Sequence, residues 1–318
     1  MIYDRIALIG LGLIAGSLGL AIKRHDLVGH ITGTALSGAS RATALARGFV
    51  DSVHEDPAEA VADADLVVLC VPVGAMEDVA RRIGPALKPG ATVTDVGSVK
   101  RSVVDAVAPH LPEGVWFVPG HPVAGTEHSG PDSGFAELFE NRWCLLTPVP
   151  GTPQEEVDRL RNLWESVGAN VSEMEPDHHD RVLAVTSHVP HLIAYTMVGV
   201  ADDLRRVTSQ EVINFSAAGF RDFTRIAASD PTMWRDVFLA NKQGTLEILG
   251  RFTEELFALQ RAIRQGDGDH LHAYFSRTRG IRRGIIEAGQ DTDRPNFGRG
   301  GFRSDGGNDG AGIKETQS

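Results

Sequence analysis

Two histidines, a threonine and a glutamate lie among glycines in the segment Gly120–Gly130, and such side chains can bind polar groups and transfer protons. His121 is the best suited to acid–base chemistry, because the unperturbed pKa of histidine lies close to neutral pH. The segment follows the apolar run 115–118, which predicts a strand. We therefore expect His121 in a loop at the carboxyl end of a sheet strand, the edge where open α/β sheets bind ligands. A glycine-rich loop with a bystander histidine fits the same residues.

A second glycine-rich turn predicts a cofactor site between a predicted strand at 6–9 and a predicted helix at 14–24. Gly10 permits a tight turn, Gly12 lets the backbone approach a pyrophosphate, and Ala15 allows the helix to pack closely. The N–H groups at the start of the helix then face the phosphates. A strand before the motif and a helix after it are the context that a dinucleotide site requires. The candidate cofactor contacts in this turn are Gly10, Leu11, Gly12, Leu13, Ile14 and Ala15.

The end of the second predicted strand leaves the choice between NAD and NADP open. An acidic residue that binds the adenosine ribose is expected about 20 residues after the glycine motif. The run from Thr34 to Ser37 occupies this place and contains no carboxylate. The hydroxyl of Ser37 or Thr34 can bond a ribose, whereas Arg41 can meet a 2′-phosphate or remain a solvated helix residue. NAD is slightly favoured. Further candidate cofactor contacts are Val71, Pro72 and Ser98.

The composition indicates a soluble globular protein and excludes several classes of function. The chain has 318 residues, of which 42% are apolar and 23% charged, and its net charge is −11. This charge argues against nucleic acid or an anionic membrane as a partner. The two cysteines, Cys70 and Cys144, form no CxxC pattern and no disulfide framework. No charged leader or membrane-length apolar run is evident, so we expect a cytoplasmic protein.

The order of predicted elements indicates two domains. Strands and helices alternate in the first half, which predicts an α/β fold with a Rossmann-type doubly wound sheet over residues 1–175. Helical patterns then dominate 176–288 and predict an all-helical substrate and dimerisation domain. The tail 289–318 is rich in glycine and polar residues, and we expect it to be disordered. The predicted strands are 6–9, 31–35, 66–71, 92–95, 116–118, 143–146 and 170–172, and the later helices are 179–200, 204–214, 231–265 and 269–288.

Three segments besides Gly120–Gly130 carry side chains suited to a substrate site. One, 95–100, contains Ser98 and Lys100, and another, 186–191, contains two histidines. The third, 219–234, contains arginines and a tryptophan. His188 and His191 share a helix face, but no third ligand accompanies them, so we expect no metal site. His188 fits a hydrogen-bonded core residue, whereas His128, His178 and His179 fit loop or surface positions.

Taken together, these segments resemble the prephenate/arogenate dehydrogenase family of tyrosine biosynthesis. The stretches GHPVAGTEHSG, TSHVPH and GFRDFTRIAASDPTMW carry the resemblance, which runs from Ile6 to about Ala288 in the family's order and spacing. The resemblance implies oxidative decarboxylation of prephenate or L-arogenate, or of both. The products are 4-hydroxyphenylpyruvate and L-tyrosine, with hydride transfer to NAD(P)+. The long helices after Pro231 predict a homodimer. The preferred substrate stays open, and we favour a broad cyclohexadienyl dehydrogenase.

The resemblance also implies roles for individual residues. His121 is the base at the 4-hydroxyl of the substrate, and Ser98 bonds the same oxygen or orients His121. Arg225 anchors a substrate carboxylate through its planar fork, with Arg221 as the reserve contact. His191 lies at the substrate side chain. The residues that shape the rest of the pocket are Trp234, Thr126 and Glu127.

Two other functions fit parts of the sequence. A β-hydroxyacid dehydrogenase of similar build would carry a catalytic lysine on the helix after the sheet domain, where this chain has His188 and His191. A non-catalytic dinucleotide-binding regulator would not need His121, Ser98 and Arg225 together. Both are therefore disfavoured.

Overall fold

The structure is a computed structural model that describes residues 1–126, 128–208 and 218–287, with only the backbone for 204–208. The chain divides into two compact units, 1–250 and 251–318. The predicted boundary near residue 175 falls within the first unit and stays a prediction. The predicted disordered tail and the greater part of the predicted helix 204–214 lie outside the described residues.

A six-stranded parallel sheet forms the centre of the first unit, with strand order β3-β2-β1-β4-β5-β6. This is the order of a doubly wound dinucleotide-binding sheet, so the predicted Rossmann-type fold is confirmed. Successive strands are added to one side of β1 as far as β3 and to the other side from β4 onward. Such sheets bind their ligand at this switch point between β1 and β4. The strands are β1 (Tyr3–Ile9), β2 (Val28–Thr34), β3 (Ser52–His54), β4 (Leu66–Leu69), β5 (Thr92–Asp95) and β6 (Trp116–Phe117).

Alternate residues of the central strands face two separate apolar cores. Leu66 and Val68 of β4 belong to one core, and Val67 and Leu69 belong to the other. Burial on both faces explains why this strand is a continuous apolar run. The helices of this region are α1 (Leu13–Arg24), α2 (Gly38–Ala46), α3 (Pro57–Val61), α4 (Met76–Ile83), α5 (Arg101–Val107) and α6 (Gln154–Ser166). The short elements β3 and α3 were not predicted, because so few residues show no clear periodicity.

A separate three-stranded sheet corrects two expectations about the segment that carries His121. Its strands are β7 (Gly120–Pro122), β8 (Trp143–Leu146) and β9 (Asn170–Glu173). β7 pairs antiparallel with β8, so β8 does not extend the parallel sheet as expected. His121 therefore lies in a strand, and only the residues after Pro122 form the expected loop. The apolar pattern of 143–146 predicted a strand correctly, but such a pattern does not specify the pairing partner.

Helices dominate the described residues after β9, as expected. α7 (Pro176–Leu183) continues through a π-helical turn (Ala184–His188) into α8 (Val189–Thr208). The predicted continuous helix 231–265 is wrong, because Asn241 separates two helices and has a non-helical backbone conformation. The remaining helices are α9 (Ala218–Thr224), α10 (Pro231–Ala240), α11 (Lys242–Gln265) and α12 (Gly268–Ile285).

One helical stretch, Pro176–Asp203, is long and apolar enough to cross a membrane by length and composition, contrary to the expectation that no run approaches a span. Its mean hydropathy is 1.2 in the most apolar window. The stretch contains the buried polar residues His179, Asp180 and His188, which are hydrogen-bonded to other segments of the fold. These buried polar residues pack inside the fold, although only 28% of the most apolar window is buried.

Candidate active site

The turn between β1 and α1 has the geometry that a dinucleotide pyrophosphate requires. Gly10 has a φ of +98°, and a Cβ on it would lie 2.8 Å from the backbone oxygen of Cys70. Apart from Gly12 itself and its chain neighbours, no heavy atom lies within 4 Å of the place of a Cβ on Gly12, so backbone approach is open there. Ala15, in the first turn of α1, is fully buried. The residues of this turn therefore fit the predicted cofactor, whose phosphates would face the N–H groups at the start of α1.

The turn after β2 engages both residues that were predicted to meet the adenosine end of the cofactor. The guanidinium of Arg41 donates to the backbone oxygens of Ala35, at 2.6 Å, and Leu36, at 3.3 Å. The Arg41 side chain is only 16% exposed, so it is not a freely solvated helix residue. The hydroxyl of Ser37 accepts a hydrogen bond from the N–H of Ser40 and caps α2. Arg41 and Ser37 thus stabilise their own turn at the edge of the cofactor site.

A fully buried ion pair between Lys100 and Asp95 holds the strand that carries His121. Asp95 accepts a hydrogen bond from the N–H of Gly120 at 3.2 Å, and Lys100 donates to the carbonyl of Gly120 at 2.6 Å. Burial raises the pKa of Asp95 and lowers that of Lys100, and the opposite charge of each partner counteracts this. Because both backbone groups of Gly120 are bound, the position of the next residue, His121, is determined. Lys100 therefore has a positioning role.

His121 is the first member of a buried chain of hydrogen bonds. Its Nδ1 lies 2.8 Å from Nε2 of His179, and Nδ1 of His179 lies 2.8 Å from Oδ1 of Asp180. Burial, with the nearby His179, Lys100 and His188, holds the pKa of His121 well below its usual value. The imidazole of His121 is therefore neutral at physiological pH, as a general base must be.

The carboxylate of Asp180 connects this chain to the start of α5. Oδ1 and Oδ2 of Asp180 accept hydrogen bonds from the N–H groups of Lys100, at 2.7 Å, and Arg101, at 3.0 Å. Burial by itself raises the pKa of Asp180, but the bonds from His179, Lys100 and Arg101 outweigh it and hold the pKa below its usual range. Asp180 is thus a buried anion behind the two histidines.

His191, Trp234 and Arg225 form a second cluster. The ring of His191 stacks on that of Trp234, with centroids 3.8 Å apart. Burial lowers the pKa of His191, a bond to the backbone of Ser187 opposes this, and the positive charge of Arg225 lowers it further. Arg225 lies in a short 3-10 turn (Arg225–Ala228) and is exposed.

His188 links the two clusters. Its ring contacts Trp234 at a centroid distance of 6.1 Å, and it is one of the groups that lower the pKa of His121. Nδ1 of His188 lies 3.1 Å from the amide nitrogen of Asn241, and the side chain is fully buried. The prediction of a hydrogen-bonded core histidine is therefore confirmed for His188. Its position places His121, His191, Trp234 and Arg225 around one region of the first unit.

Comparison with known proteins identifies the family of this fold and site. The sequence profile described as "Prephenate dehydrogenase, nucleotide-binding domain" matches residues 18–173, and "Prephenate dehydrogenase, dimerization domain" matches residues 175–277. The chain belongs to the prephenate dehydrogenase family. It is thus an NAD(P)-dependent oxidoreductase, and the predicted family is confirmed.

Three relatives place the chain within this family. The cyclohexadienyl dehydrogenase of Zymomonas mobilis is 41% identical over 283 residues, which are 88% of this chain and 96% of the relative. The structure of Aquifex aeolicus prephenate dehydrogenase with hydroxyphenyl propionate and NAD+ has a TM-score of 0.81 at 33% identity, over 89% of this chain and 98% of that one. Synechocystis arogenate dehydrogenase has a TM-score of 0.75 at 27% identity, over 88% of this chain and 99% of that one.

The other residues predicted for a prephenate dehydrogenase site lie at its edges. Ser98 is half-buried in the loop between β5 and α5, and its backbone lies beside the ring of His188. Val71 and Pro72 follow β4 beside the glycine turn of the cofactor site. Thr126 is exposed in the loop after β7, where its hydroxyl accepts a bond from the N–H of His128. The predicted residue Glu127 lies outside the described residues.

The sequence interpretation missed His179 and Asp180. His179 was expected in a loop or at the surface, but it is fully buried on α7, and this expectation is wrong. The buried residues of α7 are Pro176, His179, Asp180 and Leu183, which recur at helical spacing. That spacing was the available signal, because a histidine and an aspartate on an apolar stripe must find partners inside the protein.

Metal binding receives no support from the described residues. Among residues 1–126, 128–208 and 218–287, no group of three or more histidine, cysteine or acidic side chains is arranged to hold a metal ion. His188 and His191 are instead engaged with Asn241, Ser187 and Trp234.

Proposed function

We propose that this prephenate dehydrogenase family member oxidises the ring C4 alcohol of prephenate, of L-arogenate, or of both. The C1 carboxylate then leaves as CO2, and the products are 4-hydroxyphenylpyruvate and L-tyrosine. The observation that carries the proposal is the neutral, buried His121, whose Nδ1 is bound to His179 and whose Nε2 is left to receive a proton. An NAD(P)+ bound at the glycine turn would supply the hydride acceptor.

His121 accepts the proton of the substrate 4-hydroxyl while the C4–H bond loses its hydride. The bond between C1 and the carboxylate then breaks, and its electron pair completes the aromatic ring. Because aromatisation drives the reaction, the protein mainly has to align C4 and receive one proton. A positioned base contributes roughly 100- to 10,000-fold to such a step.

The second cluster supports binding of the carboxylate-bearing end of the substrate. The guanidinium of Arg225 offers a planar fork for a carboxylate. Its positive charge lowers the pKa of His191, which is consistent with two side chains that lie near each other. Trp234 is 6% exposed and stacks on His191, and it would form an apolar wall beside the substrate ring. The keto and amino substrates differ at the side chain, which is the end that we assign to His191.

The turn after β2 supports use of both dinucleotides with a modest preference for NAD+. Thr34–Ser37 contains no carboxylate, but the carboxylate of Glu55 lies 3.9 Å from the guanidinium of Arg41 and would disfavour a 2′-phosphate there. Arg41 and Ser37 are also occupied by their own turn, so neither is a dedicated phosphate ligand. We expect kcat/KM to favour NAD+ by less than roughly 10-fold, which corresponds to about 1.4 kcal/mol. A preference for NADP+, lost in Arg41→Ala, would contradict this.

We propose that the protein forms a homodimer. We also propose that it is a cytoplasmic protein. The dimerization-domain profile covers 175–277, and the helices there expose large apolar side chains that a second copy would cover. The exposed apolar residues in these helices include Met197, Val200, Leu246, Phe257, Ile263 and Phe275. Light scattering after size exclusion should give twice the chain mass of 34.2 kDa, and a monomeric mass would contradict the dimer.

The decisive experiment follows the absorbance of reduced nicotinamide with each of the four combinations of prephenate or L-arogenate and NAD+ or NADP+. We expect turnover with at least one combination, with formation of 4-hydroxyphenylpyruvate or L-tyrosine and an equal amount of CO2. The control replaces the substrate with a saturated cyclohexanol carboxylate, which cannot aromatise. Absence of turnover in all four combinations would reject the proposed function.

A further inference from the structure

The chain of hydrogen bonds behind His121 determines which ring nitrogen of His121 carries a proton. An ionised carboxylate is an acceptor only, and both oxygens of Asp180 already accept backbone N–H bonds. Nδ1 of His179 must therefore donate to Asp180, since the two atoms are 2.8 Å apart. A neutral imidazole has one donor and one acceptor, so Nε2 of His179 is the acceptor.

The same count extends to His121. Because Nε2 of His179 accepts, Nδ1 of His121 must donate across the 2.8 Å contact. Nε2 of a neutral His121 then carries a lone pair, which is the form that can remove a proton. The opposite arrangement would place two acceptors or two donors against each other at one of the contacts.

On the basis of the proposed function, we propose that His179 and Asp180 are positioning residues that act through His121. The anion of Asp180 imposes the Nδ1–H form on His179, and His179 imposes it on His121, so Nε2 of His121 is kept as the base. When Nε2 takes the hydroxyl proton, the Nδ1 proton of His121 can move to Nε2 of His179. The hydrogen-bonded side chains have then gained one proton, which the substrate hydroxyl has lost, and the positive charge lies on His179 beside the Asp180 carboxylate.

Charged groups from several elements face this chain and set its pH response. Lys100 and Asp95 face it from β5 and the following loop, Cys144 from β8, and His188 from the π-helical turn. Burial and Lys100 disfavour a proton on His179, whereas Asp180 favours one. Asp180 is thus the group in direct contact that favours the cationic state of the histidine pair.

Nitrogen-15 NMR of the intact protein, labelled at histidine, tests the assignment without any substrate. Histidine-to-glutamine variants at positions 121 and 179 assign the signals. We expect both histidines as Nδ1–H forms, with the Nε2 atoms unprotonated. A protonated Nε2 on neutral His121 in the wild type would overturn the proposal. Since no turnover is measured, this outcome is independent of whether the proposed substrates are correct.

The kinetic test uses two matched pairs of variants on α7. Asp180→Asn and His179→Gln disrupt the chain of hydrogen bonds behind His121. Asp177→Asn and His178→Gln are the controls, because they change exposed neighbours on the same helix. For Asp180→Asn we expect kcat to fall roughly 100-fold or more. KM should stay within a few-fold of the wild-type value, and the controls should stay close to wild type.

The pH profile separates this role from a purely structural one. Without the Asp180 anion, the histidine pair holds a proton less tightly, so the acidic limb of kcat/KM should move to lower pH in Asp180→Asn. The proposal would be rejected if Asp180→Asn lost activity while the acidic limb of kcat/KM and the nitrogen-15 shifts of the histidines stayed unchanged and part of the protein was unfolded. Asp180 would then contribute to stability alone.

Discussion

The cofactor turn (Gly10–Ala15) and the histidine chain (the hydrogen-bonded side chains of His121, His179 and Asp180) have different roles in the same reaction, and they are built in opposite ways. The cofactor turn is local: the six consecutive residues from Gly10, after β1, to Ala15, in the first turn of α1, supply it, and backbone conformation is its main property. The histidine chain is nonlocal, because His121 and His179 are 58 residues apart and come from a strand and a helix. The local site depends on glycine conformation, whereas the nonlocal site depends on burial and on complete hydrogen bonding.

The histidine chain should show the largest effect of a single substitution. For His121→Asn we expect kcat to fall by roughly 100- to 10,000-fold, because the base is lost while the shape of the side chain is nearly kept. The dissociation constant of NAD+, from fluorescence titration, should stay within a few-fold of the wild-type value. Near-normal turnover would remove His121 from the role of base.

Loss of the buried ion pair that holds β7 should have the largest effect on stability. Lys100→Met leaves the buried Asp95 without its partner and the carbonyl of Gly120 without its donor. We expect the free energy of unfolding, from denaturant titration, to fall by about 3–5 kcal/mol. Lys88→Met is the control, because Lys88 pairs with Asp65 nearer the surface, where such a pair contributes about 1 kcal/mol or less. Equal losses in the two variants would contradict a special role of Lys100.

The buried histidines should also make stability depend on pH in a defined window. Burial lowers the pKa of His188 to about 4 from 6.5, so the unfolded chain binds a proton that the folded protein does not. Stability is therefore complete above pH 6.5 and falls as the pH is lowered toward 4, by roughly 3 kcal/mol for this residue. Denaturant titrations at several pH values in this range should show that the free energy of unfolding depends less steeply on pH in His188→Gln than in the wild type. An unchanged slope would mean that His188 is already protonated in the fold.

The local site should show a smaller effect that separates strain from contact. Gly10 and Gly48 both have positive φ values, +98° and +72°, but only a Cβ on Gly10 would meet backbone, 2.8 Å from the oxygen of Cys70. Gly48→Ala should cost about 1 kcal/mol of unfolding free energy from conformation alone. Gly10→Ala should cost more, and it should also raise the dissociation constant of NAD+. Equal effects would show that the approach to Cys70 is relieved by a backbone shift.

Features with local signals were predicted from the sequence, and features that depend on contacts between distant segments were not. The glycine turn, the continuous apolar strand β4 and the helix α1 were predicted because their signals lie within a few consecutive residues. The segment around His121 was recognised as functional, but its strand pairing was not, since β7 is three residues long and pairs with a strand more than twenty residues away. The break at Asn241 was missed because no local pattern marks it, and the bond of its side chain to the backbone of Asp180 joins residues 61 positions apart.

The amino-acid sequence alone identifies the family, the cofactor turn, and His121, His191 and Arg225 as candidates, because each belongs to a segment that is distinctive on its own. Only the tertiary structure showed that His179 and Asp180 stand behind His121, and that Lys100 and Asp95 hold its strand. The physical reason is that a hydrogen bond requires atoms within about 3 Å, and such proximity between distant segments is a property of the folded chain. Residue types can indicate a base, but the packed structure decides which of its nitrogens is free.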